Sequence, residues 1–441
     1  MKQKNCAHPF ASVDFSRRTV LQASAAIGLT GLVGAGGVHA AGLPAKATVV
    51  VIGGGFGGAT AAKYVRLLSR YKIAVVLIEP QAAFVSGPLS NLVLGGRWQM
   101  ADITTPYIHL NKNHGVTLVR DSASAIDSQK KMVTLAGGSR IRYDKLVVAP
   151  GVDMQFEAVE GLASANASGR ILHAWQAGAQ TAALRQRLVD MPDGGVFAIS
   201  IPLAPYRCLP GPYERASLVA AYFKAEKPRS KVLLLDANPD VVAKAALFKK
   251  VWAQEYAGIL EYRNHHQVSS VDGKAGIIRF EAQIEVKADV LNVLPPMRAG
   301  RIAIQAGLNN QASQRWCGVN FLNFESSAVK DVHVLGDAIE AAPDMAKSAH
   351  MANHHGKVAA AAIVAELSGW DLNPAPTLTN TCYSFVDAKR GIHQASAYSY
   401  DAAERTFKAV AGASSLSPEP CQREATYAIR WANNIWADTL V

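Results

Sequence analysis

Short, mainly apolar runs recur along the chain and predict strands: Val49 to Ile52, Ile73 to Ile78, Leu146 to Ala149, Val196 to Ile201, Lys231 to Leu235 and Val332 to Leu335. The first ends in Gly53-Gly54-Gly55-Phe56-Gly57-Gly58 and leads into the alanine-rich stretch Ala59 to Leu68, which reads as strand, tight turn and helix. The second ends in Glu79. A strand that enters a helix through glycines, followed by a strand closed by an acid, predicts the βαβ unit of a Rossmann-like domain. With 441 residues and 49% hydrophobic composition the chain has material for two or three domains with substantial cores, and the composition argues against disorder.

The glycine spacing carries chemistry. Gly53 permits the turn, Gly55 lets main chain approach a pyrophosphate, Gly58 permits close helix-to-strand packing, and Glu79 is placed to accept from a ribose 2′-hydroxyl. Tyr143-Asp144-Lys145-Leu146-Val147-Val148-Ala149-Pro150-Gly151 and Val332-His333-Val334-Leu335-Gly336-Asp337-Ala338 both resemble signatures of the two-dinucleotide-domain flavoproteins, the glutathione reductase-like group. That resemblance implies FAD, with Gly151 and Gly336 in the turns that receive it and Asp337 on the ribityl chain; the lesser alternative for Asp337 is a solvated helix N-cap. The implied fold is α/β, with two Rossmann-like dinucleotide-binding domains, the FAD domain discontinuous in sequence (45–161 and 302–373), a scaffold domain over 162–301 and a smaller C-terminal interface domain over 374–441. In the scaffold, Gly194-Gly195-Val196-Phe197-Ala198-Ile199-Ser200-Ile201 runs into Pro202 and Pro205, and proline has no N–H to give a phosphate. The strand Lys231 to Leu235, ending in Asp236, still looks like the second strand of such a unit, so no NAD(P)H site is expected there.

A narrower resemblance follows from longer motifs. Tyr206-Arg207-Cys208-Leu209-Pro210-Gly211-Pro212-Tyr213-Glu214-Arg215-Ala216-Ser217, Arg315-Trp316-Cys317-Gly318-Val319, Asn323-Phe324-Glu325-Ser326-Ser327, Asn380-Thr381-Cys382-Tyr383-Ser384 and Trp431-Ala432-Asn433-Asn434-Ile435 look like the flavoprotein subunit of flavocytochrome c sulfide dehydrogenase. The family implies a sulfide-oxidising flavoenzyme with a redox-active disulfide beside the FAD, here Cys208 with Cys317, and a cytochrome c subunit that removes electrons. Hydrosulfide can attack such a disulfide, leaving a persulfide on one cysteine and freeing the other as a thiolate able to donate to the flavin. Glu214 matches a glutamate of the motif and is the candidate acceptor for the substrate proton. The bland readings are a structural disulfide or two buried thiols, and a helix-start carboxylate. Cys382 lies in a family-like motif without a role derivable from sequence, and the role of Cys421 is open. One departure stands out: where the family has a cysteine tethered to the flavin, this chain has Gly87, in Phe84-Val85-Ser86-Gly87-Pro88-Leu89-Ser90-Asn91. The expected FAD is therefore non-covalent.

Ser16-Arg17-Arg18-Thr19-Val20-Leu21, the small apolar stretch Ala25 to Val38 and then His39-Ala40 resemble a twin-arginine leader cleaved near Ala40 or Ala41, which implies the periplasm. No transmembrane segment is expected, and a compartment without nucleic acid leaves none as a partner. Of the formal charge of +11, a net +3 comes from Lys2, Lys4, Arg17, Arg18 and Asp14 in the leader; the remainder reads either as steering of an acidic partner or as ordinary solvated side chains. The absence of CxxCH means that any c-type haem is external. His350, His354 and His355 have helical spacing but no acidic or cysteine ligands nearby, so no metal is expected. Two other functions stay open: a sulfide:quinone reductase-like enzyme, and a non-catalytic accessory flavoprotein that binds a haem protein.

Overall fold

The computed structural model describes residues 47–441; the stretch that resembles a twin-arginine leader lies outside them. The first βαβ unit forms where the pattern places it, as β1 (Thr48–Ile52), α1 (Phe56–Leu68) and β2 (Ala74–Ile78). β3 (Thr117–Val119) lies outside β2, and β4 (Lys145–Val148) lies on the other side of β1. All four run parallel, with Val50 opposite Val76 on one side and Leu146 on the other. A parallel sheet is covered on both faces, which is why Val49, Val50 and Val51 are all fully buried instead of alternating.

The chain leaves this sheet through Val152–Met154, which pairs antiparallel with Met297–Ala299 on the way back. Between these crossings β5 (Val196–Ile201), α2 (Gly211–Glu226), β6 (Lys231–Asp236), α3 (Ala245–Glu255), β7 (Leu260–Arg263) and β8 (Val290–Val293) build a second parallel sheet in the order β7-β6-β5-β8. The returning chain adds β9 (Val319–Asn320), β10 (Glu325–Ser326) and β11 (Val332–Val334), completing a seven-stranded sheet ordered β9-β10-β11-β4-β1-β2-β3. The expected α/β architecture with a flavin-type sheet drawn from two distant stretches is borne out.

α4 (Ala349–Ser368) then crosses α1 closely, and glycine makes the approach possible: a side chain on Gly356 would strike the Gly57 carbonyl. The remaining chain forms β12 (Thr377–Phe385), β13 (Gly391–Asp401), β14 (Thr406–Ala409), β15 (Ser415–Leu416) and the terminal helix α5 (Gln422–Leu440). Part of this segment's aromatic content is core, since Phe385 and Tyr398 are buried, whereas Tyr427 is exposed. α5 is fastened to both helices behind the glycine loop: Asp438 accepts from the Tyr64 hydroxyl of α1 (2.6 Å) and from the Asn353 amide of α4 (2.8 Å), and pairs with Lys357 (2.8 Å). No helix among the described residues is long and apolar enough to cross a membrane.

Candidate functional site

The three fingerprint glycines divide the work. Gly53 adopts φ +93°, and a side chain there would meet the Ala149 carbonyl at the end of β4. One on Gly58 would meet the Gly53 carbonyl, so the helix start lies directly on the turn. Gly55 differs, because a side chain there would meet nothing within 4 Å. This is the open side from which a pyrophosphate reaches main chain and helix N-terminus. Glu79 is held at the rim, accepting from the Gly54 N–H (2.7 Å) and the Gln81 N–H (2.9 Å). Tyr107, which the sequence did not single out, steadies the same turn by donating to the Gly54 carbonyl at 2.9 Å.

The ends of β4 and β11 supply the facing wall. Gly151 and Gly336 have φ +67° and +69°, the left-handed backbone that glycine tolerates. Asp337 follows Gly336 in a short turn, half-buried, with an enclosed Oδ1 that has no hydrogen-bond partner; burial pushes its pKa up, while Arg207 and Lys347 pull it back. His355 Nε2 on α4 is likewise buried and unpartnered. An orphaned carboxylate oxygen beside an open glycine loop fits a cofactor with ribityl hydroxyls to donate, so the residues present fit FAD. The helix that the sequence places after Asp337 starts only at Ala349, capped by the Ser348 hydroxyl, which accepts from the Met351 N–H at 3.2 Å.

The sulfur site differs from its expected form. Cys208, Cys317 and Cys382 are free thiols, so neither a Cys208–Cys317 nor a Cys208–Cys382 bond is present in this structure. The two residues meet different surroundings. Cys317 is fully buried beneath the Gly336-Asp337-Ala338 turn, where its N–H donates to the Ala338 carbonyl (3.0 Å) and its carbonyl accepts from Glu340 (2.8 Å). Burial pushes its thiol up to about 12, and the one charge acting on it is Lys347. Cys208 heads α2 in left-handed backbone, φ +61°, with its N–H on the Lys347 carbonyl at 3.0 Å. Burial pushes its thiol up, followed by the neighbouring Cys382 and Glu214; Arg207 and Lys244 act the other way. Of the other cysteines, the one whose charge acts on Cys208 is Cys382 of β12.

Glu214, on the first turn of α2, is buried and sits with this pair. Its Oε1 accepts from the Phe385 N–H (2.7 Å) and its Oε2 from the Asn91 amide (2.7 Å). Burial raises its pKa against those two donors and the charges of Lys244 and Arg215. Arg215 is itself fully buried and fixes Asn91 by donating from Nε to Oδ1 at 3.0 Å, while its other nitrogens reach Asn292 (2.9 Å) and the carbonyls of His173 (2.9 Å) and Ala174 (2.7 Å). Lys244, which carried no sequence signal, donates to the Cys382 carbonyl (2.6 Å) and the Ser384 hydroxyl (2.9 Å). In the scaffold domain the Asp236 carboxylate is taken by Tyr213 (2.8 Å), Tyr262 (3.2 Å) and Asn238 (2.7 Å), which leaves it engaged inside the protein. The Nδ1 atoms of His350 and His354 accept main-chain N–H groups of β12, from Thr381 (2.9 Å) and Thr379 (3.4 Å).

Comparison with known proteins agrees with this geometry. Residues 181–295 match the family model described as the central part of the sulfide dehydrogenase [flavocytochrome c] flavoprotein chain, and residues 374–440 match its flavin-binding part. Residues 47–189 match the pyridine nucleotide-disulphide oxidoreductases. A sulfide dehydrogenase [flavocytochrome c] flavoprotein chain from Chlorobaculum thiosulfatiphilum is 60% identical over 45 residues, 10% of this chain and 92% of that sequence. The mitochondrial sulfide:quinone oxidoreductase of Dictyostelium discoideum is 23% identical over 296 residues, 64% of this chain, and the match spans 62% of that protein's length. The sulfide:quinone oxidoreductase structure from Aquifex aeolicus superposes with a TM-score of 0.71 at 18% identity, covering 89% of this chain and 91% of the other, which shows a shared fold. On its own matches this chain is an FAD-binding flavoprotein and belongs to the family of the flavocytochrome c sulfide dehydrogenase flavoprotein chain.

Proposed function

We propose that this protein oxidises sulfide in the periplasm through a Cys208/Cys382 redox pair and delivers the electrons to a separate cytochrome c. The observation that carries the reading is the convergence of Cys208, Cys382 and Glu214 at the head of α2, with Cys208 joined by its N–H to the segment that follows Asp337. In the oxidised pair, hydrosulfide attacks one sulfur, the Cys208–Cys382 bond breaks, and a new sulfur–sulfur bond leaves a persulfide on one cysteine and a thiolate on the other. Glu214, whose proton affinity burial raises, takes the substrate proton. Gly53, Gly55, Gly58, Glu79, Gly151, Gly336 and Asp337 would hold FAD, which when bound supplies the change from paired to single electrons that a haem acceptor requires. The internal bonding of Asp236 supports a reaction without NAD(P)H.

The missing tether gives a prediction of its own. A side chain at Gly87 would meet nothing within 4 Å, so there is room for the family's cysteine. FAD is expected to leave the wild-type polypeptide in detergent, and Gly87→Cys is expected to retain it as a fluorescent band on a denaturing gel. Flavin held by the denatured wild type would sink the non-covalent reading.

The acceptor is the finer question. A cleft of about 370 Å3 between α4 and α5 is walled by Lys357, Tyr383, Tyr427, Arg430, Trp431 and Asp438, with Tyr383 adjacent in sequence to Cys382. Asp438 takes the charge of Lys357, and Arg430 beside Tyr427 and Trp431 suits an acidic protein surface. The quinone alternative is favoured by the names of the Dictyostelium and Aquifex relatives. Anaerobic sulfide should bleach the flavin absorbance of the exported protein, and cytochrome c should restore it faster than decylubiquinone does. A reversed order assigns the quinone reaction, and a flavin that sulfide leaves untouched removes sulfide as the direct substrate.

A further inference from the structure

Lys244 is a buried cation that the relay leaves without a task. It is 6% exposed and precedes α3 in left-handed backbone, φ +56°, so the scaffold domain sends its side chain across to β12 of the C-terminal segment. Its ammonium donates to the Cys382 carbonyl at 2.6 Å and the Ser384 hydroxyl at 2.9 Å. An ammonium has three donors, so one remains for a further acceptor. The charged and titratable groups around this point are Glu214 and Arg215 from α2, Cys208 and Arg207 just before it, and Cys382 from β12. Glu214 has its oxygens on the Phe385 N–H and the Asn91 amide, which leaves the lysine charge available to sulfur. Of the two thiols, Cys382 counts Lys244 as its foremost stabilising charge; for Cys208 it ranks behind Arg207.

We propose that Lys244 is the anion-holding group of the sulfur site, its ammonium stabilising first the incoming hydrosulfide and then the persulfide carried by Cys382. The inference rests on the Cys208/Cys382 relay. Hydrosulfide attacks the Cys382 sulfur, the Cys208–Cys382 bond breaks, and its electron pair leaves with Cys208 as a thiolate. The substrate sulfur is oxidised as the disulfide is reduced, its proton passes to Glu214, and the resulting persulfide anion on Cys382 faces Lys244. Without a fixed cation, two negative sulfurs would form in one partly buried site, which is costly.

The test uses the FAD-bound protein with Lys244→Gln, which keeps a donor and loses the charge, and Lys244→Arg, which keeps both. Alkylation of Cys382 in the reduced protein by iodoacetamide, resolved by peptide mass spectrometry, is expected to move up by about one pH unit in Lys244→Gln and to stay in place in Lys244→Arg. Sulfide-driven bleaching is expected to slow about a hundredfold in the first and less than about tenfold in the second. A folded Lys244→Gln protein with wild-type alkylation and bleaching overturns the proposal. Should that variant not fold, Ser384→Ala removes one anchor of the ammonium, and a wild-type alkylation profile in it overturns the proposal as well. Failure of the relay itself shows differently, as bleaching that survives Cys208→Ser or Cys382→Ser whatever Lys244 does.

Discussion

Cys208→Ser and Cys382→Ser are each expected to slow the anaerobic bleaching of flavin by sulfide at least about a thousandfold, because a residue that forms the covalent bond is not replaced by its neighbours. Cys317→Ser is expected to change that rate by less than about threefold. The contrast follows from position. Cys208 and Cys382 are partly exposed and Cys382 is among the groups acting on Cys208, whereas Cys317 is fully buried with both main-chain groups paired to the turn that carries Asp337. The hydroxyl in Cys317→Ser is buried, so the expected loss is in stability, about 1–3 kcal/mol where no partner reaches it. Rates followed by stopped-flow absorbance in the three variants decide between the pairings. If Cys317→Ser is as slow as Cys208→Ser while Cys382→Ser reacts normally, the pair is the one that the motifs suggested and the geometry here is not the reactive one.

The flavin-binding half was legible because its residues are contiguous. Glycines, apolar run and acid stand within one βαβ unit, and the strands form within a residue or two of their apolar runs, as with Ile73 to Ile78 against Ala74–Ile78. Motif likeness also marked Asn380 to Ser384, but a motif gives a residue's address in the chain and not its partner. Pairing Cys208 with a second sulfur depends on β12 returning from the far end of the chain to the head of α2, through Phe385 on Glu214 and Lys244 on the Cys382 carbonyl. Cys317 misled for a physical reason: it does lie near the Asp337 turn, yet on its buried side. Lys244 had no signal at all, since a lone lysine in a loop of ordinary composition differs from a solvated one only by what it touches. Asp236 shows the reverse limit, a residue at a ribose-binding address whose carboxylate the fold has turned inward onto two tyrosines.

Lys145→Met is expected to cost about 3–5 kcal/mol, because it removes one partner of a buried ionic cluster and leaves charge behind. Lys145 is the first residue of β4 and pairs with Asp331 (2.8 Å) and Glu366; Lys131 also meets Asp331 (2.7 Å), and Asn323 donates to Glu366 at 2.9 Å. The cluster holds β4 against β11, where Val332, His333 and Val334 pair with Leu146, Val147 and Val148. Those strands lead into Gly151 and Gly336-Asp337, the turns proposed to face the flavin, so loosening the strand pair is expected to reach them. Burial alone would raise the Asp331 pKa, but hydrogen bonds from Lys131 and Lys145 outweigh it and hold the carboxyl at about 2. A depressed carboxyl stabilises the fold above its unfolded pKa, near 3.9, and that contribution disappears as pH falls from there toward about 2. In a thermal melt at neutral pH, Lys145→Met should lower the midpoint on the order of 5 °C and weaken FAD retention. Lys145→Met combined with Asp331→Asn and Glu366→Gln should recover more than half of the loss, since the stranded charges are gone. A single variant that melts within about 1 °C of wild type would reduce the cluster to a surface contact, and alignment of the two turns would then rest on the strand hydrogen bonds alone.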